Sequence, residues 1–151
     1  PWLFSGTLRD NVSLGQDDCT EEHIVECLKA AGADFIGDGT ASALEFFIQD
    51  QGSNLSGGQK QAVMMARALA FKPSLFLFDE PTSAMDGFTE SQVIDHLSTK
   101  LTNQTLIIVT HKMPVVAMCD RVIVMDQGKI IGDGSKDAYF DLLKKRSEQK
   151  V

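Results

Sequence analysis

The sequence has 151 residues, 43% of them hydrophobic, with a mean hydropathy of −0.06, a net charge of −7 and a pI of about 4.8. One globular domain with a sizeable core is expected, and no apolar stretch is long enough to cross a bilayer. The acidic balance argues against a general nucleic-acid binder, which needs a basic face to displace counterions.

Along the chain, Thr20 offers a capping hydroxyl, and Glu21 and Glu22 put acids on the positive end of a helix dipole, so a helix is predicted there. Ile24, Cys27, Leu28 and Ala31 follow at helical spacing, with Gly32 as a stop. Residues 37–42 are small and polar, hence a loop. Phe46, Phe47 and Ile48 form a short apolar stretch before another loop at 49–54. A helix opens at Ser56 and runs to about Ala70, with Met64, Met65, Ala68 and Leu69 as its apolar contacts; Lys72 and Pro73 end it.

Leu75, Phe76, Leu77 and Phe78 then form a continuous apolar run, as expected of a strand buried on both faces. Residues 88–101 predict an amphipathic helix through Val93, Ile94, Leu97 and Leu101. Residues 105–110 predict a second buried strand, 113–119 a short helix and 122–125 a third strand. Asp126, Gln127, Gly128 and Lys129 turn that strand into Ile130 and Ile131. Ser135 caps a last helix carrying Ala138, Leu142 and Leu143, and the polar tail 144–151 is expected to fray. The front half is therefore mainly helical. The back half alternates strand and helix, which implies an α/β class with a parallel sheet covered by helices. Cys19, Cys27 and Cys119 are odd in number and widely spaced, so they suggest neither a zinc site nor a disulfide framework but small hydrophobes in a reducing compartment.

Three groups of residues carry chemistry. Leu55, Ser56, Gly57, Gly58 and Gln59 form a glycine-containing helix start. Missing Cβ atoms let a backbone approach an anion, and unpaired N–H groups with the dipole favour a phosphate. An ordinary capped helix start is the alternative for these residues. Next, the apolar run at 75–78 delivers Asp79 and Glu80 to the C-terminal end of a strand, where open parallel sheets bind ligands. Asp79 suits Mg2+, directly or through water, and Glu80 suits orienting and deprotonating a water. A solvated acidic strand end is the alternative. Pro81, Thr82 and Ser83 force a turn, and Asp86 adds a third acid close by. Finally, His111 follows the second strand and would lie beside Asp79 and Glu80 if the strands are neighbours, where an imidazole could contact a phosphate or position water. His23 and His96 are read as surface or capping residues.

In spacing and order these residues resemble ABC-type ATPase domains. Residues 55–59 match the family's signature sequence, 75–80 its Walker B strand with the catalytic Glu, and His111 its switch histidine. Ser83, Ala84, Met85 and Asp86 resemble the D-loop, with Met85 where a Leu is usual; the swap keeps size and apolarity. Residues 126–130 resemble the closing hairpin. The resemblance covers essentially the whole chain. The opening residues 1–12, from Pro1 and Trp2 to Asn11 and Val12, look like the stretch after the Q-loop glutamine of exporters. Gln49, Asp50, Gln51 and Gly52 sit where exporters carry the loop that touches the coupling helices, with Asp50 or Gln51 in place of the usual Glu. Residues 32–36 and 52–56 resemble bacterial type I secretion ATPases of the toxin-export kind.

The resemblance implies an incomplete P-loop NTPase (RecA-like) parallel-sheet core with the ABC α-helical subdomain: 1–73 as the signature subdomain and 74–151 as core. It implies ATP and Mg2+ as cofactors and a second ABC ATPase domain, joined head to tail, as partner. It also implies coupling helices of a transmembrane domain, a place on the cytoplasmic face of the inner membrane, and no nucleic acid. A phosphate-binding loop, Gly-x-x-x-x-Gly-Lys-Ser/Thr, is absent: the one Gly-Lys pair, Gly128 and Lys129, is followed by Ile130. The first residue is Pro, without a Met or a signal peptide, so the sequence is expected to be a fragment that binds ATP poorly alone and exposes sheet edge and core surface. A soluble ABC ATPase of DNA repair, chromosome structure or translation, and a non-catalytic interaction fragment, are the other readings.

Overall fold

A computed structural model describes residues 2–33 and 41–148. Pro1, residues 34–36 of the toxin-export resemblance, most of the 37–42 loop and the end of the 144–151 tail lie outside the described residues. The elements in chain order are β1 (Gly6–Thr7), α1 (Leu8–Ser13), α2 (Glu21–Ala30), β2 (Phe47–Ile48), α3 (Gly57–Ala70), β3 (Leu75–Asp79), α4 (Gly87–Lys100), β4 (Thr105–Val109), α5 (Met113–Ala117), β5 (Arg121–Asp126), β6 (Lys129–Ser135) and α6 (Lys136–Glu148). They fall into two compact units, Pro1–Val109 and Thr110–Val151.

In the first unit each helix starts where its sequence supplies a cap. Thr20 Oγ1 accepts from the His23 N–H (3.3 Å) and starts α2. Thr7 and Asp10 form a reciprocal capping box that starts α1. The helix expected from Ser56 to Ala70 is α3, with Ser56 as its cap. Its buried stripe is Ala62, Val63, Met65, Ala66, Leu69 and Ala70; Met64 and Ala68, expected in that stripe, are only half-buried. α3 packs against α1 and α2 over a core of Leu8, Val12, Ile24, Leu28, Leu44 and Val63, all at most 5% exposed.

One buried polar cluster fastens the chain's opening residues to α3. Asn11 is fully buried; its amide donates to the carbonyls of Phe4 (3.0 Å) and Thr7 (3.1 Å), and its Oδ1 accepts from the Phe4 N–H (3.1 Å). From α3, Arg67 donates to the Asn11 carbonyl (2.6 Å), Asn11 Oδ1 (3.2 Å) and the Trp2 carbonyl (2.9 Å). Substituting Asn11→Ala strips several of these groups of partners at once. At 1–3 kcal/mol for each buried unsatisfied group, with partial relaxation, we expect a loss of about 3 kcal/mol. That corresponds to a melting temperature lower by roughly 6–12 °C for a chain of this size. A thermal melt shifted by less than about 2 °C would contradict this role for Asn11.

β3 and β4 pair in parallel, Leu75 opposite Thr105 through Asp79 opposite Val109, as the βαβ pattern predicts. The expectation of strands buried on both faces is corrected. Phe76 is buried and stacks on Phe78, but Leu77 on the other face is 69% exposed and Val109 is 60% exposed. Because side chains alternate across a strand, a continuous apolar run gives no sign that one of its faces is uncovered. α4 buries Val93 and Leu97, as its spacing predicts.

The second unit is built on a hairpin. β5, the expected third strand, is turned back at residues 126–129 as predicted and pairs antiparallel with β6. The link is short enough to enforce this: Gln127 (φ 45°) and Gly128 (φ 74°) both take the left-handed conformation that two-residue hairpin turns require. Arg121 forks onto Asp133 across the strands, at 2.7 and 2.6 Å, and this holds the exposed Asp133 carboxyl below its usual range. Ser135 caps α6 through the Ala138 N–H (3.3 Å). The predicted fraying from residue 144 is also corrected, since α6 continues to Glu148. Lys144, Lys145, Arg146, Ser147 and Glu148 contain no Gly or Pro to stop it. The cysteines are free thiols, and burial pushes Cys27 up to about 11.

Candidate functional site

The first unit brings the signature residues and the acidic strand end onto the two sides of one contact. Leu55 is buried and anchors the start of α3; Ser56 and Gly57 are exposed, and Gly58 and Gln59 are half-buried. Ser56 Oγ accepts from the Gln59 N–H (3.2 Å), while Gln59 Oε1 accepts from the Ser56 N–H (2.9 Å). This capping box makes the tip rigid. It also means that the capped-helix alternative and a phosphate-facing tip do not exclude each other, because a capped start is what presents first-turn N–H groups in a fixed direction.

Asp79 is exposed at the last position of β3. Glu80 follows, half-buried, with φ 46°, and its N–H donates to the Val109 carbonyl (2.8 Å). This left-handed residue ends the strand and begins a turn in which Ser83 N donates to Glu80 O (3.2 Å) and Met85 N to Thr82 O (3.1 Å). Pro81 and Thr82 are buried beneath it, and the Thr82 hydroxyl donates to Glu90 of α4 (2.5 Å).

Asp86 faces α4. It caps that helix by accepting from the N–H groups of Phe88 (3.0 Å) and Thr89 (3.1 Å) and from the Thr89 hydroxyl (2.8 Å). The Thr89 and Phe88 hydrogen bonds hold its carboxyl below the usual range. His111 belongs to the second unit, exposed, directly after Thr110. Gly128 and Lys129 lie at the tip and base of the β5–β6 hairpin, a position unlike a strand-to-helix phosphate loop.

Two connections escaped the sequence reading. A Cβ on Gly58 would come within 2.6 Å of the Ala84 carbonyl oxygen, so this glycine is needed for its own chain's packing as well as for any anion. The second is Gln61, whose side-chain amide reaches from α3 to the Glu80 carbonyl (2.7 Å), the Ser83 hydroxyl (3.1 Å) and the Ala84 N–H (3.1 Å). Its signal in the sequence is a polar residue heading the stripe of Met64, Met65 and Ala68 at helical spacing. Beside it, a groove of about 510 Å³ is lined by Leu3, Met64, Met65, Leu77 and Asp79. These walls are largely apolar and suit covered core better than phosphate.

This chain matches the ABC transporter family over residues 5–83 and belongs to it. It is 39% identical to multidrug resistance protein 1 of Entamoeba histolytica, over 97% of this chain and 12% of that protein. It is 38% identical to the ATP-dependent lipid A-core flippase 1 of Colwellia psychrerythraea, over 91% of this chain and 23% of the flippase. Among solved structures, that of a bacterial Atm1-family ABC exporter with ATP bound superposes with a TM-score of 0.81 at 32% identity, covering 96% of this chain and 25% of that one. The fold is thus part of an ABC nucleotide-binding domain, with β3 and β4 as its share of the parallel P-loop NTPase core. The chain spans only a fraction of each relative's length.

Proposed function

We propose that this segment works in an ABC exporter whose ATP is shared between two nucleotide-binding domains, joined head to tail. Leu55, Ser56, Gly57, Gly58 and Gln59 contact the nucleotide held by the partner domain, while Asp79 and Glu80 serve the nucleotide of their own domain. The observation that carries this reading is the packing of the helix tip on the turn that follows Glu80, with Gly58 against Ala84. It makes one rigid body of an anion-suited tip and an acidic strand end.

Asp79 fits Mg2+: a single exposed carboxylate at a strand end is what this ion uses when substrate phosphates and waters complete its shell, and the ion would neutralise phosphate charge there. Glu80 takes the proton of the attacking water, and His111 contacts the terminal phosphate. Asp86, by fixing the start of α4, holds the far end of the D-loop. Residues 1–73 act as the signature subdomain and 74–151 as core, and Gln49, Asp50, Gln51 and Gly52 contact the coupling helices on the cytoplasmic side. The relatives' names, multidrug resistance and lipid A-core flippase, favour an apolar or amphiphilic cargo. Export of a protein or peptide toxin rests on residues 32–36 and 52–56 alone.

Because no Gly-x-x-x-x-Gly-Lys-Ser/Thr is present, these 151 residues supply only part of each site. Titration of the chain with Mg-ATP in a calorimeter should show no stoichiometric micromolar binding, while the full-length parent hydrolyses ATP. One-to-one micromolar binding to the chain alone would contradict the shared site.

A further inference from the structure

Glu80 is a non-glycine residue in the left-handed region, a conformation that persists only where its surroundings impose it. On one side the Val109 carbonyl takes its N–H. On the other its carbonyl accepts from Gln61 Nε2 at 2.7 Å, shorter than the 3.2 Å bond from Ser83 N within the turn. The same Nε2 donates to the Ser83 hydroxyl, and Oε1 accepts from the Ala84 N–H. The network defines the amide's orientation: a flipped amide would set oxygen against the Glu80 carbonyl and nitrogen against the Ala84 N–H. One side chain thus spans the turn from end to end, and it belongs to the helix whose tip carries Ser56, Gly57 and Gly58.

We infer that Gln61 is a positioning residue, which sets the backbone of Glu80 and so the direction of its carboxylate, and which ties that direction to the placement of α3. The inference rests on the reading of Glu80 as the base. If α3 shifts when its tip meets a nucleotide, the bonds to Glu80 O and Ala84 N shift with it, so that the acidic turn responds to occupancy of the tip.

The experiment is a double-mutant cycle in the full-length parent. Gln61→Ala should lower kcat for ATP roughly 10–100-fold, the scale of a displaced reacting group, with KM changed less than about threefold. In a Glu80→Gln background the same substitution should cost less than about twofold, because no base remains to be aimed. An equal loss in both backgrounds, or a kcat within about twofold of the parent, would overturn the inference. If Gln61→Ala does not fold, Gln61→Glu is used. It is isosteric, keeps an acceptor for Ala84 N, and removes the donor to Glu80 O and to the Ser83 hydroxyl; the same non-additivity is expected and the same additivity would refute it. A Glu80→Gln variant that is itself fully active marks failure of the base reading, which separates the two.

Discussion

Glu80→Gln in the full-length parent should lower ATP turnover by roughly 10²–10⁴-fold, the contribution of one general base. The substitution is close to isosteric, so the interactions that fix the residue's backbone, from N–H to Val109 and from Gln61 to the carbonyl, are retained. Proton acceptance by the carboxylate is lost. Binding of Mg-ATP should therefore stay within a few-fold of the parent while hydrolysis collapses, and a steady-state assay paired with nucleotide-binding measurements separates the two. Turnover near that of the parent would remove Glu80 from the role.

Much of this site is legible in the residues themselves, because local rules govern it. The Ser56 cap, the helix to Ala70, the strand ending in Asp79 and the turn beyond it follow from capping, periodicity and a proline after the acids. What is less legible is set by contacts distant in sequence. Gln61 reads as an ordinary helix polar residue until the turn at residues 80–84 is folded against it. Gly58 reads as a phosphate glycine, although its tightest neighbour is the Ala84 carbonyl of its own chain. Asn11 looks like a surface residue in a polar stretch and is fully buried, because Arg67, more than fifty positions away, completes its hydrogen bonds. The open face of β3 and β4 was missed for a different reason: an apolar run records a residue's preference for burial and not whether a covering layer is there.

The second large effect concerns the helix tip. Gly57 is exposed, and a Cβ there would meet only the Ala84 Cβ at 3.6 Å, an ordinary contact. Gly57→Asp should therefore fold, and a carboxylate in the first turn of α3 even favours the helix. Against a partner's triphosphate the same carboxylate is a like charge at close range, where water is excluded and repulsion is strong. We expect turnover in the full-length parent to fall by roughly 100-fold or more, the loss of about 3 kcal/mol of transition-state stabilisation, with no loss of thermal stability. Gly58→Ala could not separate these effects, because its methyl strikes its own chain.

Sharing of one nucleotide by two domains is tested most directly by sedimentation velocity on the parent's complete nucleotide-binding domain, carrying Glu80→Gln to prevent hydrolysis. With Mg-ATP the domain should shift from monomer to dimer, and with Gly57→Asp added it should remain monomeric at the same nucleotide concentration. A dimer that forms equally well with the aspartate in place would contradict the account.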